Sequence, residues 1–178
     1  MDAAAEAILR EQALETFGVC SFACIQAHLL SCRAAARLPE HPRSVLVVLF
    51  PYRFPENGPR NLCRYACVPD YHKTAGAVLE RTAAALRQKY PENHFEPFMD
   101  NSPVPEVEAA VRAGLGCRGD NGLLLHPEYG SWLFLGAIVT DLPAELTETE
   151  PKRCIGCDSC KRACPAGCIG DTGPDPAR

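Results

Sequence analysis

Residues 154–165 read Cys-Ile-Gly-Cys-Asp-Ser-Cys-Lys-Arg-Ala-Cys-Pro. No other stretch constrains the chain as much. The spacing C-x2-C-x2-C-x3-C-P fits a [4Fe–4S] cube, whose iron corners take thiolates. The short spacers wrap a tight loop around the cluster and aim backbone N–H groups at its sulfurs. Cys154, Cys157, Cys160 and Cys164 are therefore the expected metal ligands, with Pro165 ending the turn. A zinc site is the weaker reading, because zinc motifs usually pair two C-x2-C units across a gap of about a dozen residues or more. In two-cluster chains the fourth cysteine of such a run serves the other cluster. After Cys164 only Cys168 remains. We therefore expect either a one-cluster variant or a chain cut short of a second motif. The second is favoured, because the tail 170–178 offers no core of its own.

With 178 residues, 47% of them hydrophobic, the chain has room for one ordinary domain and a small appendage. We place the first at 1–146 and the iron–sulfur segment at 147–178. A net charge of −4 gives no overall attraction to nucleic acid or to an anionic membrane. Lys152, Arg153, Lys161 and Arg162 flank the cysteine run against Asp158 alone, which reads as compensation for an anionic cluster. The eleven cysteines do not read as a disulfide framework, since the acidic start Met1-Asp-Ala-Ala-Ala-Glu is no export signal. No apolar run approaches a membrane span. Cysteine-rich and unexported points to the reducing cytoplasm, where cysteines bind metal, do redox work or sit in the core.

Along the chain, residues 2–17 read as an amphipathic helix, with Ala5, Leu9, Ala13 and Phe17 on one face and Gly18 closing it. Val19 to Ile25 is a short strand or irregular crossing. Its Cys20 and Cys24, with Cys32, read as core cysteines. Arg43 to Phe50 is apolar on both faces and reads as a buried central strand, followed by a proline-rich loop over 51–61. Tyr71 to Tyr90 carries the clearest helical stripe: Ala75, Val78, Leu79, Thr82, Leu86 and Tyr90. His94 to Asp100 reads as a strand. Ser102-Pro103 reads as the cap and first position of a helix reaching Ala113. After a turn over 119–122, residues 123–126 and 132–140 read as the last two strands. An acidic linker over 141–151 leads into the cysteine run. There is no Gly-rich dinucleotide fingerprint and no G-x-S-x-G elbow.

Six motifs then stand in order: Arg64-Tyr65-Ala66; Asp70-Tyr71-His72; Asp100-Asn-Ser-Pro103-Val-Pro-Glu106; Ala113-Gly-Leu-Gly116; Gly130-Ser131 before a strand ending Thr140-Asp141; and the cysteine run. Together, over roughly residues 40–168, they resemble the epoxyqueuosine reductase family, and most closely its short, double-cluster-binding relatives. The resemblance implies a cobalamin-dependent iron–sulfur reductase of tRNA queuosine modification. Its fold would be α+β, a nitroreductase-like sandwich of helices on a mostly antiparallel sheet, similar to that of reductive dehalogenases. A C-terminal ferredoxin-like segment would follow, and the corrinoid would lie between the two parts. The implied partners are an electron donor such as a flavodoxin or ferredoxin, and tRNA. Three departures weigh against tRNA. Val107 stands where the longer reductases carry a basic residue. Gly119-Asp120-Asn121-Gly122 replaces Gly-Lys-Asn-Thr. The second cluster motif and the helical-repeat tail are not in this sequence.

By the same resemblance Asp100 matches the general acid, which protonates a leaving epoxide oxygen or hydroxyl. Such an acid works best with its pKa raised by burial. The end of an apolar strand suits burial, whereas a helix N-terminus beyond it favours the anion. Read from the residues alone, Asp100 is a cap of helix 103–113. Arg64, Tyr65, Asp70, Tyr71 and His72 are candidates for cofactor or substrate contact. Alternatively they form a solvated loop in which His72 starts the long helix, a reading preferred over a cobalt ligand. Gly114, Gly116 and Gly119 would let backbone approach the cofactor, or simply end a helix. Cys63 and Cys67 are left unassigned. Against the enzyme stand two alternatives: a ferredoxin-type electron-transfer module without catalysis of its own, and a cluster-holding structural or sensor protein.

Overall fold

The run 44–51 lies at the centre of the molecule, apolar on both faces because both faces are covered. The computed structural model describes residues 2–54, 62–144, 151–152, 154–170 and 173–175. In chain order the elements are α1 (Ala3–Glu11), β1 (Phe17–Ser21), β2 (Ser44–Pro51), α2 (Tyr71–Lys89), β3 (Phe95–Met99) and α3 (Glu106–Arg112). They continue with β4 (Cys117–Arg118), β5 (Leu124–Leu125), β6 (Leu133–Thr140), α4 (Ser159–Ala163), β7 (Ile169–Gly170) and β8 (Gly173–Pro174). The main sheet has the order β1-β2-β6-β3, and every neighbouring pair is antiparallel. Short hairpins β4–β5 and β7–β8 stand apart from it.

Period-two alternation divides the strand side chains between two cores. Val45, Val47 and Leu49 of β2, with Ala137 and Val139 of β6, pack against Ala109, Ala110 and Val111 of α3. Leu46, Val48 and Ile138 face α1 and α2 through Leu9, Leu79, Ala83 and Leu86. The expected buried strand is therefore central, and the sandwich is α+β. Gly136 lies opposite α2, where an added Cβ would stand 2.5 Å from Leu79 Cδ1 and 3.0 Å from Met99 Cε. The helix rests directly on the bare backbone of β6.

Three expectations need correction. The first helix stops at Glu11, not at residue 17. Ala13 takes a left-handed conformation (φ 58°) and the Leu14 N–H returns to the Leu9 carbonyl. Phe17 and Gly18 belong to β1. An added Cβ at Gly18 would stand 2.7 Å from the Ala113 carbonyl oxygen, so this glycine permits a close approach rather than closing a helix. The third helix begins at Glu106, not at Pro103. Pro105 disfavours helical backbone at Val104, and the Ser102 hydroxyl accepts from the Val104 N–H (3.0 Å) in a turn of its own. Finally, of the three expected core cysteines only Cys20 is fully buried, while Cys24 and Cys32 are half-buried.

The parts of the proline-rich loop at 55–61 and of the acidic linker at 145–150 lie outside the described residues. Among the described residues, a backbone bridge and an ion pair hold the C-terminal segment against the β4–β5 hairpin. Cys117 bridges Lys152 through the backbone. Lys161 Nζ lies 3.0 Å from Asp120 and 2.9 Å from Asp158. Among the described residues no helix is long and apolar enough to cross a membrane.

Candidate active site at one end of the sheet

Because β2 and β3 both run antiparallel to β6, both end where β6 begins. That edge collects residues far apart in the chain. Tyr52 follows β2, Trp132 and Phe134 mark the start of β6, and Asp100 follows β3. The first turn of α2 brings Asp70, Tyr71 and His72. The Tyr71 ring stacks on Phe134 with centroids 4.2 Å apart and planes 8° apart. Tyr52 lies 4.4 Å from the same ring. The Arg64 guanidinium sits 4.6 Å over Trp132, and its Nη1 donates to the Phe54 carbonyl (3.1 Å). The result is a shelf of flat rings with a cation at its rim. Tyr65 is exposed beside it.

His72 is the hub. Its Nδ1 is 2.9 Å from Asp70 Oδ1 and its Nε2 is 3.0 Å from Asp100 Oδ2. Asp70 also caps α2 by accepting the His72 backbone N–H (3.0 Å). A ring with carboxylates at both nitrogens must donate from both, and only the imidazolium can do so. The hydrogen bond that His72 donates to Asp100, then that to Asp70, accordingly raises the His72 pKa above 6.5. Asp100 moves the other way: its hydrogen bond with His72 lowers its pKa, outweighing the opposing effect of burial. Asp70 is lowered by the same imidazole. The strand end does not bury Asp100, whose side chain is 60% exposed. Asp100 caps no helix either, since α3 starts six residues later. It and Asn101 take left-handed conformations (φ 54° and 35°) that swing the carboxylate back toward α2.

These shifts set a pH window. The His72 contribution to folding is complete below the unfolded value of 6.5 and is lost as pH rises through its higher folded value. The Asp70 and Asp100 contributions hold above the unfolded value of 3.8 and are lost as pH falls through their lower folded values. The bridge is thus complete from weakly acid pH to the folded pKa of His72. In an NMR titration the His72 imidazole should ionise above 6.5, and Asp100→Asn should bring it back down. An unshifted His72 in the unsubstituted protein would show that the bridge does not form in solution.

Sequence reasoning named Glu106 in a motif but gave it no role. It is half-buried, yet its Oε1 is sealed from water and has no hydrogen-bond partner among the described residues. Burial, then the nearby charge of Asp100, pushes its carboxyl up to about 8. The raised acid of this site is therefore Glu106, not Asp100.

The cysteine run is a separate place in the molecule. Cys154, Cys160 and Cys164 are half-buried, Cys157 is exposed, and all eleven cysteines are free. Among the described residues no three His, Cys, Asp or Glu side chains lie close enough together to hold a metal ion, so the four thiols are not gathered. The donor set still fits an iron–sulfur cluster in kind: soft thiols on one short loop. Gly156 (φ 68°) and Asp158 (φ 55°) turn the backbone between these cysteines, with open space around Gly156. A cavity of about 540 Å³ borders Cys154 and Gly156 and is walled by Arg118, Gly119, Asp120 and Lys152. Of the predicted cofactor residues, Arg64, Tyr71 and His72 meet at the sheet end, and Gly119 lines this cavity. Gly114 (φ 78°) closes α3. Gly116 lets backbone lie against Leu125, whose carbonyl oxygen would be 2.4 Å from an added Cβ.

Helices on both faces of an antiparallel sheet, with a charged array at one sheet end, define an α+β sandwich of the type seen in solved epoxyqueuosine reductases. The structure from Streptococcus thermophilus superposes with a TM-score of 0.80 at 20% identity, covering 98% of this chain and 55% of that one. An epoxyqueuosine reductase with a tRNA-Tyr epoxyqueuosine-modified tRNA stem loop superposes at 0.74 and 21% identity, covering 95% and 53%. In sequence, residues 33–101 match the family described as "Epoxyqueuosine reductase QueG, DUF1730". The epoxyqueuosine reductase of Gloeobacter violaceus is 37% identical over 131 residues, 71% of this chain and 41% of that protein. At this moderate identity the chain belongs to the epoxyqueuosine reductase family, and its match spans about two fifths of the Gloeobacter relative's length.

Proposed function

We propose that the chain is an oxidoreductase of the epoxyqueuosine reductase type that reduces an epoxide-bearing substrate. Cobalamin and a [4Fe–4S] cluster held by Cys154, Cys157, Cys160 and Cys164 would be its cofactors. The observation that carries this reading is the Asp70–His72–Asp100 array beside a shelf of aromatic rings. When bound, the two cofactors would supply low-potential electrons, drawn from a flavodoxin or ferredoxin. The chain's own residues do the rest. Tyr71, Phe134, Tyr52 and Trp132 offer flat faces to a planar ligand, with Arg64 at the rim. Asp70 holds the imidazole in place. His72 keeps a proton on the nitrogen facing Asp100 Oδ2, and Asp100 passes it to the leaving oxygen.

Epoxyqueuosine in tRNA is the substrate to test first, because family membership and the stem-loop structure of a relative both support it. After anaerobic loading with iron, sulfide and cobalamin, the protein should retain corrinoid through gel filtration. It should then reduce the epoxide of an epoxyqueuosine-bearing stem loop. Cluster assembly without corrinoid uptake or turnover would overturn this reading and leave an electron-transfer module.

A further inference from the structure

Reduction of an epoxide consumes two electrons and two protons whichever product forms. Breaking one C–O bond gives the alcohol; breaking both gives the alkene and water. The array at His72 and Asp100 holds one proton on the ring nitrogen between them. Resting on the function proposed above, we propose that Glu106 is a positioning residue that holds the second proton and resupplies Asp100. The electrons come from one-electron carriers of the iron–sulfur or flavin class, and both protons end on the product or on released water.

The geometry isolates Glu106 as a proton store. It opens α3 immediately after the segment 102–105, which links it to Asp100 at the end of β3. Its Oε1 is out of contact with water and unpartnered among the described residues, a costly position for an anion but an acceptable one for a neutral carboxyl. Among the described residues, the charge that acts on it is not a neutralising one. From β3 comes Asp100, which is anionic and disfavours a second negative charge. From α2 comes the Tyr71 hydroxyl, which feels both Asp100 and Glu106. On α3 itself Glu108 is paired with Arg112 at 2.9 Å. The next residue is Val107, packed against the core, so no cation stands adjacent in the chain.

The test begins on cofactor-free protein, where the reaction plays no part. Difference infrared spectra of wild type against Glu106→Gln should show the carbonyl band of a neutral carboxylic acid at pH 7. That band should disappear with a midpoint near 8. Both variants should melt alike, and Glu106→Asp serves if the glutamine variant fails to fold. In loaded protein, single-turnover epoxide reduction should slow on the alkaline side. Glu106→Gln should lose the part of that limb centred near 8, keeping the part set by His72, and run roughly 10²-fold slower, the low end for acid–base groups. Absence of the neutral-carboxyl band, or a glutamine variant with unchanged rate and pH profile, overturns the proposal. A wild type with the infrared band but no turnover overturns the function proposed for the chain instead.

Discussion

Serine in place of Cys154, Cys157 or Cys160 is expected to abolish the visible absorbance of reconstituted protein or leave a damaged three-iron species. A serine hydroxyl is neither soft nor readily ionised, so one iron corner loses its ligand. Each of these thiols has no substitute in the same short loop. Cys164 is different, because its Sγ lies 3.5 Å from that of Cys168. Cys164→Ser should therefore lose less iron than the other three, and Cys164→Ser with Cys168→Ser should lose as much as they do. Iron and sulfide per chain are the measurement. Unchanged iron in a triple Cys154, Cys157 and Cys160 variant would end the cluster assignment, and zinc without sulfide would replace it with another.

Asp100→Asn should lower single-turnover epoxide reduction by roughly 10²–10⁴-fold, with cofactor binding and melting temperature nearly unchanged. The structure makes this substitution sterically clean. Asparagine tolerates the left-handed backbone that Asp100 adopts better than other non-glycine residues do. Its amide oxygen can still accept from His72 Nε2. What it cannot do is pass on a proton. Equal rates in the two proteins would reduce Asp100 to a partner that merely holds the imidazole in place.

The parts of the fold that were legible from residues are those where one pattern dominates. The run 43–50 is apolar on both faces because α3 covers one and α1 and α2 the other, so it could only be central. The expected stripe is helical in the structure: Ala75, Leu79, Thr82 and Leu86 are buried, Val78 is half-buried, and Tyr90 is the C-cap of α2. Boundaries set by single backbone conformations were not legible. Nothing in the apolar spacing marks Ala13 as left-handed, and the Ser102-Pro103 signal concealed the stronger veto of Pro105. The site divides in the same way. Asp70, His72 and Asp100 were named, but His72 and Asp100 are 28 residues apart and only the sheet end joins them. Glu106 could be quoted as a letter in a motif. Its significance is the water it lacks, and no residue type records that.

The bare backbone at Gly136 bears on how this site tolerates inherited variation. Leu79 rests there, seven residues beyond His72 on the same rod, a separation of about 10 Å along the helix axis. A methyl group at 136 would have to push aside the Leu79 side chain, Met99 Cε and the Phe50 ring on the face of β6 that α2 covers. The seat of α2, which carries Tyr71 and His72, thus depends on an atom that is missing from the strand beneath it. An alanine there would read as a mild core change on paper, yet it falls beneath the helix that holds His72 against Asp100.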